Sequence, residues 1–270
     1  MQAFEKFLDG TSLLLLAAIV SAGLFAATEL GYRIHLRHLK KLESADATKP
    51  ESSFPIFGAA LGLLALILGF SFSMALERYD LRRTLVLDEA NAIGTVELRS
   101  RLIASPGREE MAQAVRQYLD VRLEYFAAAG DPAKEQAARR HTIAMQDKLW
   151  QVMSRGIETH EQNPLTSLLV SSVNDAFDLA TSRRAAFTSH IPASVLGMVL
   201  LYALICASLL GYALADTRRR HLAMSSLLLL LLSLVVTVIV DIDRPRVGSV
   251  VVSVAPLEEL REAMANQAQQ

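Results

Sequence analysis

Cysteine is almost absent from this sequence: Cys206 stands alone among 270 residues, so neither a disulfide framework nor a cysteine-based metal site can form within one chain. Excess charge is absent too. The formal net charge is -1, which removes the basic footprint of a nucleic-acid-binding protein. Histidines stand scattered at positions 35, 38, 141, 160, 190 and 221, and none falls in a His-Glu-x-x-His pattern. A phosphate-cradling glycine loop, a dinucleotide fingerprint and a nucleophile elbow are all missing. No catalytic residue, metal ligand or cofactor site is expected, and the chain does not read as an enzyme.

Charge is also missing from four long apolar stretches, residues 10–28, 54–76, 191–215 and 222–240, in a chain that is 52% hydrophobic. A segment in lipid must satisfy its own backbone as a helix and needs roughly 20 apolar residues to cross. All four are long enough. The first has only Lys6 ahead of it, with Glu5 and Asp9 offsetting that charge, and Glu29 with a basic stretch behind it; it reads as a retained span rather than a secretory leader.

The expected fold is an all-α membrane protein with four transmembrane helices in two hairpins and a helical extramembrane domain inserted between spans 2 and 3. The first hairpin occupies residues 1–76, with spans at about 10–32 and 54–76. The inserted domain covers 77–190, the second hairpin 191–243 with spans at about 191–215 and 222–240, and a tail 244–270. Arg33, Arg37, Lys40 and Lys41 mark one short loop and Arg218, Arg219 and Arg220 the other. Basic short loops stay on the cytoplasmic side. The N-terminus, the inserted domain and the C-terminus then lie on the extracytoplasmic face of a bacterial inner membrane, although Arg78, Arg82, Arg83, Arg183 and Arg184 flank spans on that side too.

Residues 77–190 read as helices throughout. The second span continues without a breaker to about 102, where Pro106 and Gly107 stop it. A helix over about 108–128 carries Met111, Val115, Tyr118, Leu119 and Phe126 at helical spacing. Gly130, Asp131 and Pro132 form a turn, with Pro132 suited to the first position of the next helix. That helix places Ile143, Trp150, Met153 and Ile157 on one side. After Asn163 and Pro164, Leu165, Leu169, Ser172, Val173, Ala176 and Ala180 form a further stripe. Such faces are buried only against neighbouring helices or another subunit. Disorder is expected only over 266–270.

Gly58 and Gly62 form a small-xxx-small match, and Ala18, Ala22 and Ala26 a similar strip; either serves packing inside a hairpin or contact between subunits. Phe70 and Phe72 give way abruptly to Glu77, Arg78, Asp80, Arg82 and Arg83. The three arginines read either as interfacial anchors or as an anion-attracting vestibule. Asp88 and Glu89 precede Gly94, whose helix-weakening effect, about 1 kcal/mol against alanine, suggests a close helix approach; the carboxylates read as a salt-bridged face. Asp241, Asp243, Arg244 and Arg246 read as a charged turn just outside lipid, held by ion pairs.

These residues carry a resemblance. Glu29-Leu30-Gly31-Tyr32-Arg33, the run from Gly62 to Phe70 leading into Glu77-Arg78-Tyr79-Asp80-Leu81-Arg82-Arg83, Asp88-Glu89-Ala90-Asn91-Ala92-Ile93-Gly94-Thr95, and Asp243-Arg244-Pro245-Arg246-Val247-Gly248 resemble the bacterial bestrophin-like domain family, which is distantly similar to the pentameric bestrophin anion channels. Leu68-Gly69-Phe70 with Arg78 beyond is similar to the bestrophin segment that ends in a pore-neck phenylalanine. The resemblance therefore implies a neck at Phe70, with Leu66 one turn back, while Gly62 departs from the bulky pattern. The dense acidic run of calcium-regulated members is absent, so calcium gating does not transfer. True bestrophins keep the central domain in the cytosol, opposite to the orientation the basic loops give.

The expectation is thus a homo-oligomer in the lipid bilayer, a pentamer if the resemblance holds, conducting small anions through a pore lined by the second span. The alternative is a non-conducting scaffold or sensor whose helical domain binds a partner.

Overall fold

The computed structural model describes residues 11–44, 52–102, 107–158, 164–217, 221–246 and 248–267. Among them run eight helices: α1 Leu13–Ser44, α2 Phe54–Ser100, α3 Gly107–Ala127, α4 Pro132–Glu158, α5 Pro164–Thr188, α6 Ala193–Asp216, α7 Leu222–Asp243 and α8 Ala255–Gln267. No strand occurs among the described residues. Four helices, α1, α2, α6 and α7, are long and apolar enough to cross a membrane. The chain divides into two compact units, one from residues 1–77, 190–244 and 248–250, the other from 78–189, 245–247 and 251–270.

In the first unit α1 outruns the expected span by a dozen residues. The basic stretch from Arg33 to Lys41 is helix, not loop, because Leu, Lys and Arg favour helix and no glycine or proline interrupts them after Gly31. Glu29 and Arg33 pair across one turn at 2.7 Å. The Arg218 to Arg220 cluster lies outside the described residues. Helix α1 packs most extensively along α6, next along α7, and α6 meets α7 least, so the second expected hairpin is the loosest of these pairings.

Glycine explains the tight crossing. A Cβ on Gly31 would run into the Ser208 carbonyl, and one on Gly211 into the Thr28 carbonyl and the Tyr32 amide. Here the two backbones touch, which only residues without side chains permit. The α1 to α7 contact is polar instead: Ser21 donates to Ser233 at 2.9 Å, and Ser233 to the Ala17 carbonyl at 3.1 Å. At the far end of α6, Asp216 holds His35 of α1 at 2.6 Å and accepts the Ser53 amide at 2.8 Å.

The second unit is built on the continuation of α2 beyond Arg78, which runs unbroken to Ser100 as its composition requires. Val86, Ile93 and Val96 from α2 pack with Met111, Val115, Tyr118 and Leu119 from α3, Met145, Leu149 and Met153 from α4, and Leu169, Val173 and Ala176 from α5. Asp131 caps α4, its carboxylate accepting the Ala133 and Lys134 amides at 3.0 and 3.2 Å; these backbone donors hold its pKa below the usual carboxylate value.

Three expectations change in this unit. Helix α4 turns its buried face through Ala138, Met145, Leu149 and Met153, leaving Ile143 and Trp150 exposed, because the wetter helix offered several apolar registers. Leu165 is also exposed. The disorder expected over 266–270 does not begin at 266: α8 inserts Leu257 and Met264 into the core and runs to Gln267, and 268–270 lie outside the described residues.

Candidate functional site

Along the membrane portion of α2, one face is covered by the protein and another is not. Leu64, Leu68, Ser71 and Ala75 are buried, at the three- and four-residue spacing of one helix side. Gly62, Leu66, Phe70, Ser73 and Glu77 follow the same spacing on another side and are exposed; Phe70 is 68% and Leu66 54% accessible. A Cβ placed on Gly58 or Gly62 meets nothing within 4 Å. Neither glycine therefore packs against another described part of its own chain, and the within-hairpin role weighed for them gives way to the Gly31 and Gly211 crossing.

The arginines that follow separate by environment. Arg82 is fully buried. Its guanidinium donates to the Ala186 carbonyl at 3.1 Å and the Ser189 carbonyl at 2.6 Å, so it secures the end of α5 and does not belong to an open vestibule. The sequence could not reveal this, because adjacent arginines on a helix point about 100° apart. Arg78 is half-buried and donates to the Ser189 hydroxyl at 2.6 Å. Arg83 is exposed.

Glu89 is salt-bridged, as its helix face was expected to be, but inside the protein and to two other helices. It is fully buried, with Arg122 Nε 2.5 Å from one carboxylate oxygen and Arg183 Nε 2.7 Å from the other. Two guanidiniums share one carboxylate. Burial lowers the Arg183 pKa to about 10, with Glu89 opposing the fall and Arg122 adding to it; Tyr118 is pushed up to about 12, chiefly by burial. No motif signals this cluster, since its members lie on three different helices. Gly94 lies under α8, with Leu260 Cδ1 3.3 Å from where a Cβ would stand.

The charged turn combines the Arg246 to Glu135 ion pair and the approach of His190 to Asp243 at 3.5 Å with hydrogen bonds to the backbone. Asp241 and Asp243 are the last turn of α7 and are buried. Asp241 accepts the Ser249 amide at 3.0 Å and its hydroxyl. Gly248 has φ +130°, and a Cβ there would collide with the Asp241 carboxylate. Asp243 accepts the Ile191 amide at 2.9 Å, and Arg244 donates to the Thr11 carbonyl at 2.9 Å. Arg246 lies over the rings of Tyr125 and Phe187, bonded to Glu135 at 2.9 Å and to the Tyr125 hydroxyl at 3.1 Å. Among the described residues no three His, Cys, Asp or Glu side chains gather as metal ligands.

Comparison with known proteins places this architecture. The family described as the bestrophin-like domain matches residues 22–257. The crystal structure of a bacterial bestrophin homologue from Klebsiella pneumoniae is 14% identical, with TM-score 0.65 over 92% of this chain and 98% of that one. A point variant of that homologue is 13% identical, with TM-score 0.69 over the same shares. A structure described as a membrane protein is 14% identical, with TM-score 0.63 over 93% of this chain and 99% of that one. No curated protein matches the sequence. Fold and apolar helices together make this a membrane protein.

Proposed function

The chain belongs to the bestrophin-like domain family, and on that premise we propose that it assembles as an oligomeric ion channel with anion preference, α2 lining the conduction path. The observation that carries this reading is the uncovered stripe Gly62, Leu66, Phe70, Ser73 and Glu77, opposite a buried face of the same helix. In a closed symmetric ring every copy contributes one stripe to a shared axis; five copies is the number the family resemblance implies. Phe70 and Leu66 then form an apolar constriction that expels water when narrow and conducts when wetted. The small residues Gly58 and Gly62 let neighbouring helices approach closely. The activity proposed is passive transport, not catalysis.

Anion preference rests on Arg78 and Arg83, which lie roughly 12 and 20 Å along the helix from Phe70 at 1.5 Å per residue. They raise the local anion concentration without blocking the path, while Glu77 works against them. Arg82 takes no part. The test is the reversal potential of purified protein in planar bilayers under a salt gradient. Wild type should favour the anion, and Arg78→Glu with Arg83→Glu should shift the potential toward cations. An unchanged potential in correctly assembled protein would remove the arginines from selectivity.

A further inference from the structure

The second unit contains a cleft of about 90 Å³ lined by Arg122, Tyr125, Arg139, Thr142, Ile143, Gln146, Ala180, Thr181 and Arg184. Three arginines are among its lining residues and no aspartate or glutamate is. The Gln146 amide adds a neutral donor, while the Thr142 hydroxyl already donates to the Ala138 carbonyl at 3.0 Å. At on the order of 10–15 Å³ per water by this measure, the cleft holds several water-sized groups, enough for a compact oxyanion and too few for a nucleotide.

Arg122, which lines the cleft, belongs to a buried cluster with unbalanced charge. Arg122 and Arg183 are 2% and 1% exposed and share only Glu89, which leaves a net positive charge out of water. Arg122 directs Nε to Glu89, while its Nη1 reaches Thr142 only at 3.4 Å. Arg122 Nη2 and both terminal nitrogens of Arg183 have no hydrogen-bond partner within the described protein. A buried guanidinium with unmatched donors is costly unless a counter-charge meets it. Arg139, which is exposed, and Arg184, which is half-buried, add positive charge at the rim, where like charges repel unless an anion lies between them.

We propose that this cleft binds a phosphate-type oxyanion, with Arg122 as the buried anchor, Arg139 and Arg184 as the rim, and Gln146 completing the donor set. Planar guanidinium forks match the oxygens of phosphate, which a spherical halide does not exploit. The site lies wholly within the second unit and does not depend on conduction. Occupancy supplies the missing counter-charge to the Glu89 cluster, so the ligand stabilises the helical unit by mass action.

The test uses full-length protein in detergent, titrated with inorganic phosphate against chloride at matched ionic strength, with binding read by calorimetry and the thermal midpoint. Phosphate should bind saturably and raise the midpoint where chloride does not. Arg139→Gln with Arg184→Gln should retain the unliganded midpoint, because neither residue belongs to the buried cluster, and should weaken binding by about ten-fold or more for the lost charge-assisted bonds. Nanodiscs containing phosphatidic acid and no free phosphate, run in parallel, tell a lipid headgroup from a free oxyanion. Absence of saturable binding in both arms would overturn the proposal. Equal responses to phosphate and chloride, or full binding by the double variant, would overturn it as well.

Discussion

Gly31 on α1 lies directly against the main-chain carbonyl of Ser208 on α6, with no room between them for a Cβ. The reciprocal position, Gly211, meets the Thr28 carbonyl in the same way. Gly31→Val should therefore force the two longest-paired helices apart, at a cost of at least about 1–3 kcal/mol by overpacking. Thermal unfolding in detergent checks this, with Gly62→Val as the contrast. Gly62 has nothing within 4 Å, so its variant should keep the wild-type unfolding of the protomer and change only oligomer mass. Equal loss of stability in both would contradict the assignment.

Glu89 is the one carboxylate contacting both Arg122 and Arg183. Glu89→Gln leaves two buried guanidiniums without their shared partner, and the expected cost is about 3–5 kcal/mol. Asp88→Asn, one residue earlier and only partly buried, should stay within about 0.5 kcal/mol. Denaturant or thermal midpoints of the two variants decide the matter. A neutral Glu89→Gln would show that the cluster is not electrostatically coupled.

Much of the helix order was legible because apolar length and breakers act locally. Pro132 starts its helix where the sequence places it, Pro164 opens the next one a residue before the expected Leu165, and the unbroken run beyond Phe54 produces one helix of 47 residues. Two sorts of feature were not legible. Helical phase was lost where apolar residues ring the helix, as with Trp150 on α4. Partnerships across the sequence were lost too: nothing local distinguishes buried Arg82 from exposed Arg83, or Gly31 from Gly62. The helix over 255–267 was not legible because Leu257, Leu260 and Met264 form only a short stripe, and its stability comes from the core it joins.

Orientation rests on charge in the connections. In a Cys206→Ser background, cysteines at Ser44 and Thr217 should be shielded from an impermeant thiol reagent in intact cells, and one at exposed Gln136 should label. The opposite labelling pattern would place the second unit in the cytosol.

Backbone conformation at the end of α7 gives a further check. Gly248 combines φ +130° with contact to the Asp241 carboxylate, so Gly248→Ala should displace Asp241 from Ser249 and destabilise the fold by about 1–3 kcal/mol. The thermal midpoint should fall accordingly. A wild-type midpoint would show that the loop relaxes without help from Asp241.

The measurement closest to the central claim is single-channel and macroscopic current from purified protein in planar bilayers, comparing wild type with Phe70→Ala after each is shown to have the same oligomer mass. Phe70 projects from the uncovered face of α2 at 68% exposure, where a ring of aromatic side chains would exclude water. Removing it should widen and wet the constriction and raise the current several-fold. Silence from both proteins, correctly assembled, would contradict the channel account and leave the non-conducting scaffold or sensor in its place.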